Sequence, residues 1–134
     1  MILLDSNAVI AIINGRPGSP RRYATALASS QPLAIPAPVA FELWYGVLRS
    51  ARRERNAATL RAFLAALSIL PFDAEDAVTA AEIRSHLAAA GKPIGPYDLL
   101  IAAQALRRDA LLITANTAEF ARVPRLRCED WTRP

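Results

Sequence analysis

Four apolar runs in this chain are too short to be helices of their own: Met1–Leu4, Leu33–Ile35, Ile69–Leu70 and Leu111–Thr114. A brief, uninterrupted apolar stretch bounded by turn or helix-start residues reads as a strand buried on both faces. Parallel sheets produce that pattern, because their crossover helices cover both sides. Helical segments separate the runs. Ser6 or Asn7 can cap a helix over Ala8–Ile13, which stops at Asn14-Gly15. Ser19-Pro20 opens a second helix, to about Ser30. Pro36-Ala37-Pro38 breaks the second strand and starts a helix that carries Glu42. Leu60, Phe63, Leu64 and Leu67 give one apolar stripe to a helix from Arg55 to about Leu67. Asp73 caps a helix over Ala74–Ala90, Glu75 and Asp76 suit its dipole, and Gly91 ends it. Gly95-Pro96 opens another, to about Arg108, apolar on nearly every side from Leu99 to Leu106 and therefore central. Ala115-Asn116-Thr117 turns into a short helix ending at Phe120, and Leu126–Cys128 reads as a last edge strand. Strands alternating with helices specify an α/β fold with a mainly parallel sheet.

The 134 residues fit a single domain, 1–134, large enough for a real core. No apolar run approaches the roughly 18 residues of a membrane helix. The N-terminus lacks a basic segment followed by a long apolar one, which argues against a signal peptide. With Cys128 the sole cysteine, no internal disulfide can form, and a cytoplasmic location is expected. Net charge is +4, and all but one of the sixteen cations are arginines. A basic surface suits a polyanion; an arginine-rich composition explains the same number equally well.

Three carboxylates stand in apolar surroundings. Asp5 ends the first strand, at the edge where open α/β sheets bind ligands. Glu42 lies within Val39-Ala40-Phe41-Glu42-Leu43-Trp44, and Asp98 within Pro96-Tyr97-Asp98-Leu99-Leu100. Asp5 could simply cap a helix, Asp98 could serve a helix dipole, and Glu42 could face solvent. All three being so explained is a weaker account than any one. Buried carboxylates need a raised pKa, a cation or a metal. If the three converge, a divalent ion would hold them. With one histidine and one cysteine, zinc chemistry is excluded, and clustered carboxylates favour Mg2+ or Mn2+. Such an ion supports hydrolysis of a phosphodiester by activated water.

Four blocks together resemble a PIN-domain ribonuclease of the VapC toxin type: Leu3-Leu4-Asp5-Ser6-Asn7, Glu42-Leu43-Trp44-Tyr45-Gly46, Pro93 to Ala103, and Leu112 to Phe120. The ending Val123 to Trp131 is similar too, so the resemblance spans the chain. It implies a three-layer α/β/α domain with a five-stranded parallel sheet, and Mg2+-dependent cleavage of single-stranded RNA. Asp5, Glu42 and Asp98 match the acidic triad, Asp5 and Asp98 as metal ligands and Glu42 as the residue that positions water. Asn116 stands where the family commonly has a fourth acid, and Glu119 nearby is read as structural. Ser6 matches a small hydroxyl residue beside the first acid, and Tyr97 replaces a frequent asparagine. The resemblance further implies a VapB-type antitoxin partner and a homodimer with no membrane association.

Other residues receive plainer readings. His86 is a surface or boundary residue, and Cys128 a small hydrophobe on an edge strand. Arg49, Arg52 and Arg53 share one helical face near a C-terminus. Trp44 and Tyr45 are read as core or subunit packing, with base stacking the minority view. Two competing functions are a catalytically silent binding module, for which Asn116 leaves room, and a phosphatase of the haloacid dehalogenase type. The latter needs an acid at position 7, where this chain has Asn7.

Overall fold

Each short apolar run is a strand, and together the strands build one sheet. The computed structural model describes residues 1–134. In chain order its elements are β1 (Ile2–Leu4), α1 (Ser6–Ile13), α2 (Ser19–Ala28), β2 (Leu33–Pro36), α3 (Ala37–Arg49), α4 (Arg53–Leu64), β3 (Ser68–Leu70), α5 (Ala74–Ala89), α6 (Pro96–Arg107), β4 (Leu111–Ile113), α7 (Thr117–Phe120) and β5 (Arg127–Glu129). The strand order is β3-β2-β1-β4-β5 and every pairing is parallel. The expected α/β architecture with a five-stranded parallel sheet is therefore present. Leu3 and Leu4 point to opposite faces of β1, and both are fully buried, so both faces are covered.

From β1 the chain steps outward through β2 to β3, then returns to lay β4 against the other side of β1. This reversal makes a crevice at the carboxyl ends of β1 and β4, the usual ligand position in open parallel sheets. The register is tight there, with Leu3 opposite Leu112 and Leu4 opposite Ile113. α6 is central, as its composition requires: Leu99, Ile101, Ala102, Ala103, Gln104 and Ala105 are all buried. Alanines at that density let the helix approach its neighbours closely. Removing a fully buried leucine such as Leu3 or Leu112 would cost about 2–5 kcal/mol.

Several boundaries differ from the sequence reading. α1 starts at Ser6 because Asp5, not Ser6 or Asn7, is its cap; the Asp5 side chain accepts the Ser6 N–H. Gly18, not Ser19, precedes α2, at φ 93°, and a Cβ there would stand 2.8 Å from the Trp131 carbonyl oxygen. Only glycine tolerates both conditions. α4 spans Arg53–Leu64, because the chain turns at Ala65 to deliver β3. Arg49, Arg52 and Arg53 do not share a helical face. α3 ends at Arg49, Ser50 turns extended, and Arg53 opens α4 while donating to the Leu48 carbonyl at 2.6 Å. His86 is exposed and Cys128 half-buried on β5, as expected. Trp44 packs half-buried against the core, but Tyr45 is solvent-facing.

Candidate active site

Asp5 follows the last residue of β1 directly and so emerges in the crevice. It is 3% exposed yet well supplied with donors. Its Oδ1 accepts the Ser6 N–H at 2.8 Å. Its Oδ2 accepts the Thr114 hydroxyl at 2.8 Å and the Asn7 amide at 3.2 Å. Burial pushes the Asp5 pKa above its ordinary value, and these hydrogen bonds partly counter the rise. Asn7 also accepts the Ala115 N–H at 2.8 Å through Oδ1, tying the end of β4 to the end of β1. Thr114 and Asn7 were not singled out as partners of Asp5 in the sequence; only the β1–β4 pairing brings them together.

Glu42 projects from α3 toward the same crevice. Its Oε1 is sealed from solvent and has no hydrogen-bond partner. Burial raises its pKa, the charge of Asp5 raises it further, and Ser6 opposes. Asp98, half-buried in the first turn of α6, is pushed up to about 7 by burial, then by Glu119, Asp5 and Glu42. The three acids predicted from sequence thus feel one another's charge across one crevice. No three of them close to direct metal-ligand distance around one point.

Glu119 is the fourth carboxylate. Read from sequence as structural, it is that and more. Its Oε1 accepts the Gly95 N–H at 2.9 Å, and its Oε2 accepts the Asn116 side-chain amide. A hydrogen bond with Asp98 lowers its pKa first, and Gly95, Asn116 and Arg122 add to that. Of the two neighbouring carboxyls, Asp98 is therefore the weaker acid. Asn116 itself is exposed, and its hydrogen bonds go to Glu119 and Thr114, not to the other acids. Three residues on a helix return a side chain to the same face, which is the signal that could have paired Asn116 with Glu119.

The donor set is all oxygen, with no histidine or cysteine among these groups, and one carboxylate oxygen is buried without a partner. Those are the ligands of a hard divalent cation. Mg2+ commonly takes one or two carboxylates and keeps several waters, so acids that do not form a closed cage still suit it.

Residues 2–126 match the PIN domain. The chain belongs to the PIN-domain family. Within it, the VapC ribonucleases, hydrolases that act on RNA, are its relatives over nearly the full length. The chain is 37% identical over 130 residues to the tRNA(fMet)-specific endonuclease VapC of Shigella flexneri, covering 97% of each. It is 38% identical over 131 residues to ribonuclease VapC2 of Rickettsia felis, covering 98% of each. The crystal structure of VapBC2 from Rickettsia felis bound to a promoter DNA fragment contains a chain that superposes with a TM-score of 0.90 at 39% identity. That match covers 98% of this PIN domain and 99% of the other chain. No helix of the PIN domain is long and apolar enough to cross a membrane.

Proposed function

We propose that this PIN domain is a Mg2+-dependent endoribonuclease, the toxin of a toxin–antitoxin pair, which hydrolyses phosphodiester bonds in single-stranded RNA. The reading rests above all on Asp98 lying close enough to Asp5, Glu42 and Glu119 to feel the charge of all three, in a chain whose relatives are VapC ribonucleases. PIN-domain nucleases are generally dependent on divalent metal, and Mg2+ is the ion proposed here, with Mn2+ as its substitute.

Asp5 and Asp98 are proposed to hold the ion and Glu42 to complete the pocket. When bound, the ion supplies positive charge to the scissile phosphate and acidifies water. Asp5 enters that role pre-oriented, because three donors fix both of its oxygens. Asp98 would hold the ion as a carboxylate, a charge that the N-terminal end of α6 favours. Glu42, beside Asp5 and at the rim of the groove, is the residue proposed to position the attacking water. Asn116 acts through Glu119, holding that carboxylate toward Asp98.

The partner proposed is a VapB-type antitoxin, supported by solved toxin–antitoxin assemblies such as the Rickettsia felis complex. An open groove of about 780 Å³, with Ile10, Ile13 and Leu60 in its walls and Glu42 at its rim, is a suitable seat for an antitoxin segment. A homodimer, a cytoplasmic location and a single domain over 1–134 belong to the same proposal. A catalytically silent RNA- or protein-binding module is the second reading, favoured by Asn116 at the expected fourth acid; Glu119 in the pocket weighs against it.

Purified protein incubated with total RNA and with tRNA(fMet) tests the proposal. Cleavage should require Mg2+ or Mn2+, stop in EDTA and return on adding Mg2+. Undiminished cleavage in EDTA would sink the metal chemistry, and RNA binding without any cleavage would favour the silent module.

A further inference from the structure

Beside the acidic crevice runs a line of exposed rings that neither the core nor the cleavage chemistry uses. Phe41 and Tyr45 stand one turn apart on α3, and Tyr97 lies in the first turn of α6. Phe41 is 54%, Tyr45 54% and Tyr97 45% exposed. They touch one another instead of the interior. The Tyr97 and Phe41 centroids are 5.6 Å apart with planes tilted by 41°. Those of Phe41 and Tyr45 are 6.4 Å apart with planes within 5° of parallel. One turn further along α3, the Arg49 guanidinium lies 4.7 Å from the centre of the Tyr45 ring.

The line begins at the acids, since Glu42 follows Phe41 and Asp98 follows Tyr97. Helical spacing alone explains the Phe41–Tyr45 contact. It does not explain Tyr97, which arrives from another helix and extends the row to the carboxylates. Nor does it explain the far end, where the Arg49 guanidinium, in no ion pair, lies over the face of the Tyr45 ring. Aromatic faces that end in a guanidinium without a carboxylate partner match a single strand of nucleic acid: rings take the π-faces of bases and arginine takes a phosphate. The three rings and Arg49 form one side of the groove proposed above to seat an antitoxin segment, and Ile10 and Ile13 line it too, so strand and antitoxin would compete for it. The rings and the guanidinium are the part suited to a nucleic-acid strand.

We infer that Tyr97, Phe41 and Tyr45 form a stacking track that seats the unpaired bases next to the scissile phosphate, with Arg49 holding the strand at the far end. The position of the scissile bond rests on the nuclease reading above; contact between rings and bases does not. Bases paired within a duplex present no free face, so the track selects unpaired RNA over helical RNA.

The test uses a single-stranded oligoribonucleotide carrying 2-aminopurine, titrated with the protein in EDTA so that binding is read without cleavage. Stacking should quench the probe. Phe41→Leu and Tyr97→Leu should weaken binding about tenfold each. Phe41→Tyr and Tyr97→Phe, which keep the ring, should bind as the unaltered chain does. All forms should bind an abasic strand of equal length alike. In Mg2+, the leucine variants should raise KM for RNA about tenfold with kcat nearly constant, and should keep the Mg2+-dependent rise in Tm. Leucine variants that bind the probe as tightly as the unaltered chain would overturn the inference. So would variants whose only defect is a lost homodimer or lost capture of a co-expressed antitoxin, which would make the rings a protein interface. If the unaltered chain quenches the probe through its rings but never cleaves, the nuclease reading falls and the track stands.

Discussion

The two ends of α6 treat acidic neighbours in opposite ways. At its N-terminal end, Asp98 shares a crevice with Asp5, Glu42 and Glu119, has no arginine bonded to it, and is pushed up to about 7. At its C-terminal end, Arg107 and Arg108 reach across to the start of α5. There they meet Asp76, whose side chain is fully buried, at 2.7 and 2.9 Å. Burial alone would raise the Asp76 pKa, but Arg108, the Asp73 N–H and Arg107 outweigh it and hold it down to about 2. Asp76 and Asp73 also form a reciprocal capping box, so every lone pair has a use. A fold can bury a carboxylate at modest cost when it supplies the counter-charge. Where it withholds that charge, as around Asp98, the site is left asking for a cation from solution.

The contrast breaks most sharply at its structural end. Asp76→Ala should destabilise the fold by about 3–5 kcal/mol, because Arg107 and Arg108 lose their buried partner. Urea unfolding would measure it, and cleavage per folded molecule should be unchanged. Asp98→Asn should do the reverse, cutting the rate of RNA hydrolysis by at least about 100-fold in a gel assay while the fold stays intact. Acid titration separates the two ends next. The folded pKa of Asp76 lies below its unfolded value of 3.8, at about 2, so its stabilisation is present above pH 4 and lost as pH falls toward 2. That loss amounts to about 2 kcal/mol and should be missing from Asp76→Asn. The smallest effect is linkage to metal. Mg2+ at tenfold its Kd should stabilise the protein by about 1.4 kcal/mol, seen as a rise in Tm, and Asp98→Asn should lose that rise. Without metal, Asp98→Asn should be the more stable form at pH 8. The raised pKa of Asp98 means stability present at low pH is lost as pH climbs through 7.

How much of this could be read in the chain depended on range. Apolar runs such as Leu111–Ile113 announce strands locally, and so does the all-round apolar face of α6. Gly95-Pro96 and Asp73 announce helix starts for the same reason. Asp5, Glu42 and Asp98 were visible because a charge in an apolar run violates local expectation. Glu119 and Asp76 violated nothing: each sits in the first turn of a helix, where an acid is ordinary. Their importance comes from Gly95 and Asp98 in one case, and from Arg107 and Arg108 in the other, all distant in sequence. Asn116 was legible as a position but not as a contact, since its partner depends on where α7 turns. The α4 boundary was missed because Leu67 kept the helical stripe going after the backbone had already turned toward β3.

One amide has an outsized effect on how the crevice can move. Asn7 donates to Asp5 with one end and receives from the Ala115 backbone with the other, like a stitch across the seam between the two innermost strands. Aspartate there would keep the acceptor but set a second negative group against Asp5, and leucine would cut both threads. Ser6 and Asn7 both belong to α1, so the first turn of that helix cannot shift without moving the Asp5 carboxylate. Adaptation to different RNAs is left to exposed side chains at the rim such as Phe41, Tyr45 and Tyr97.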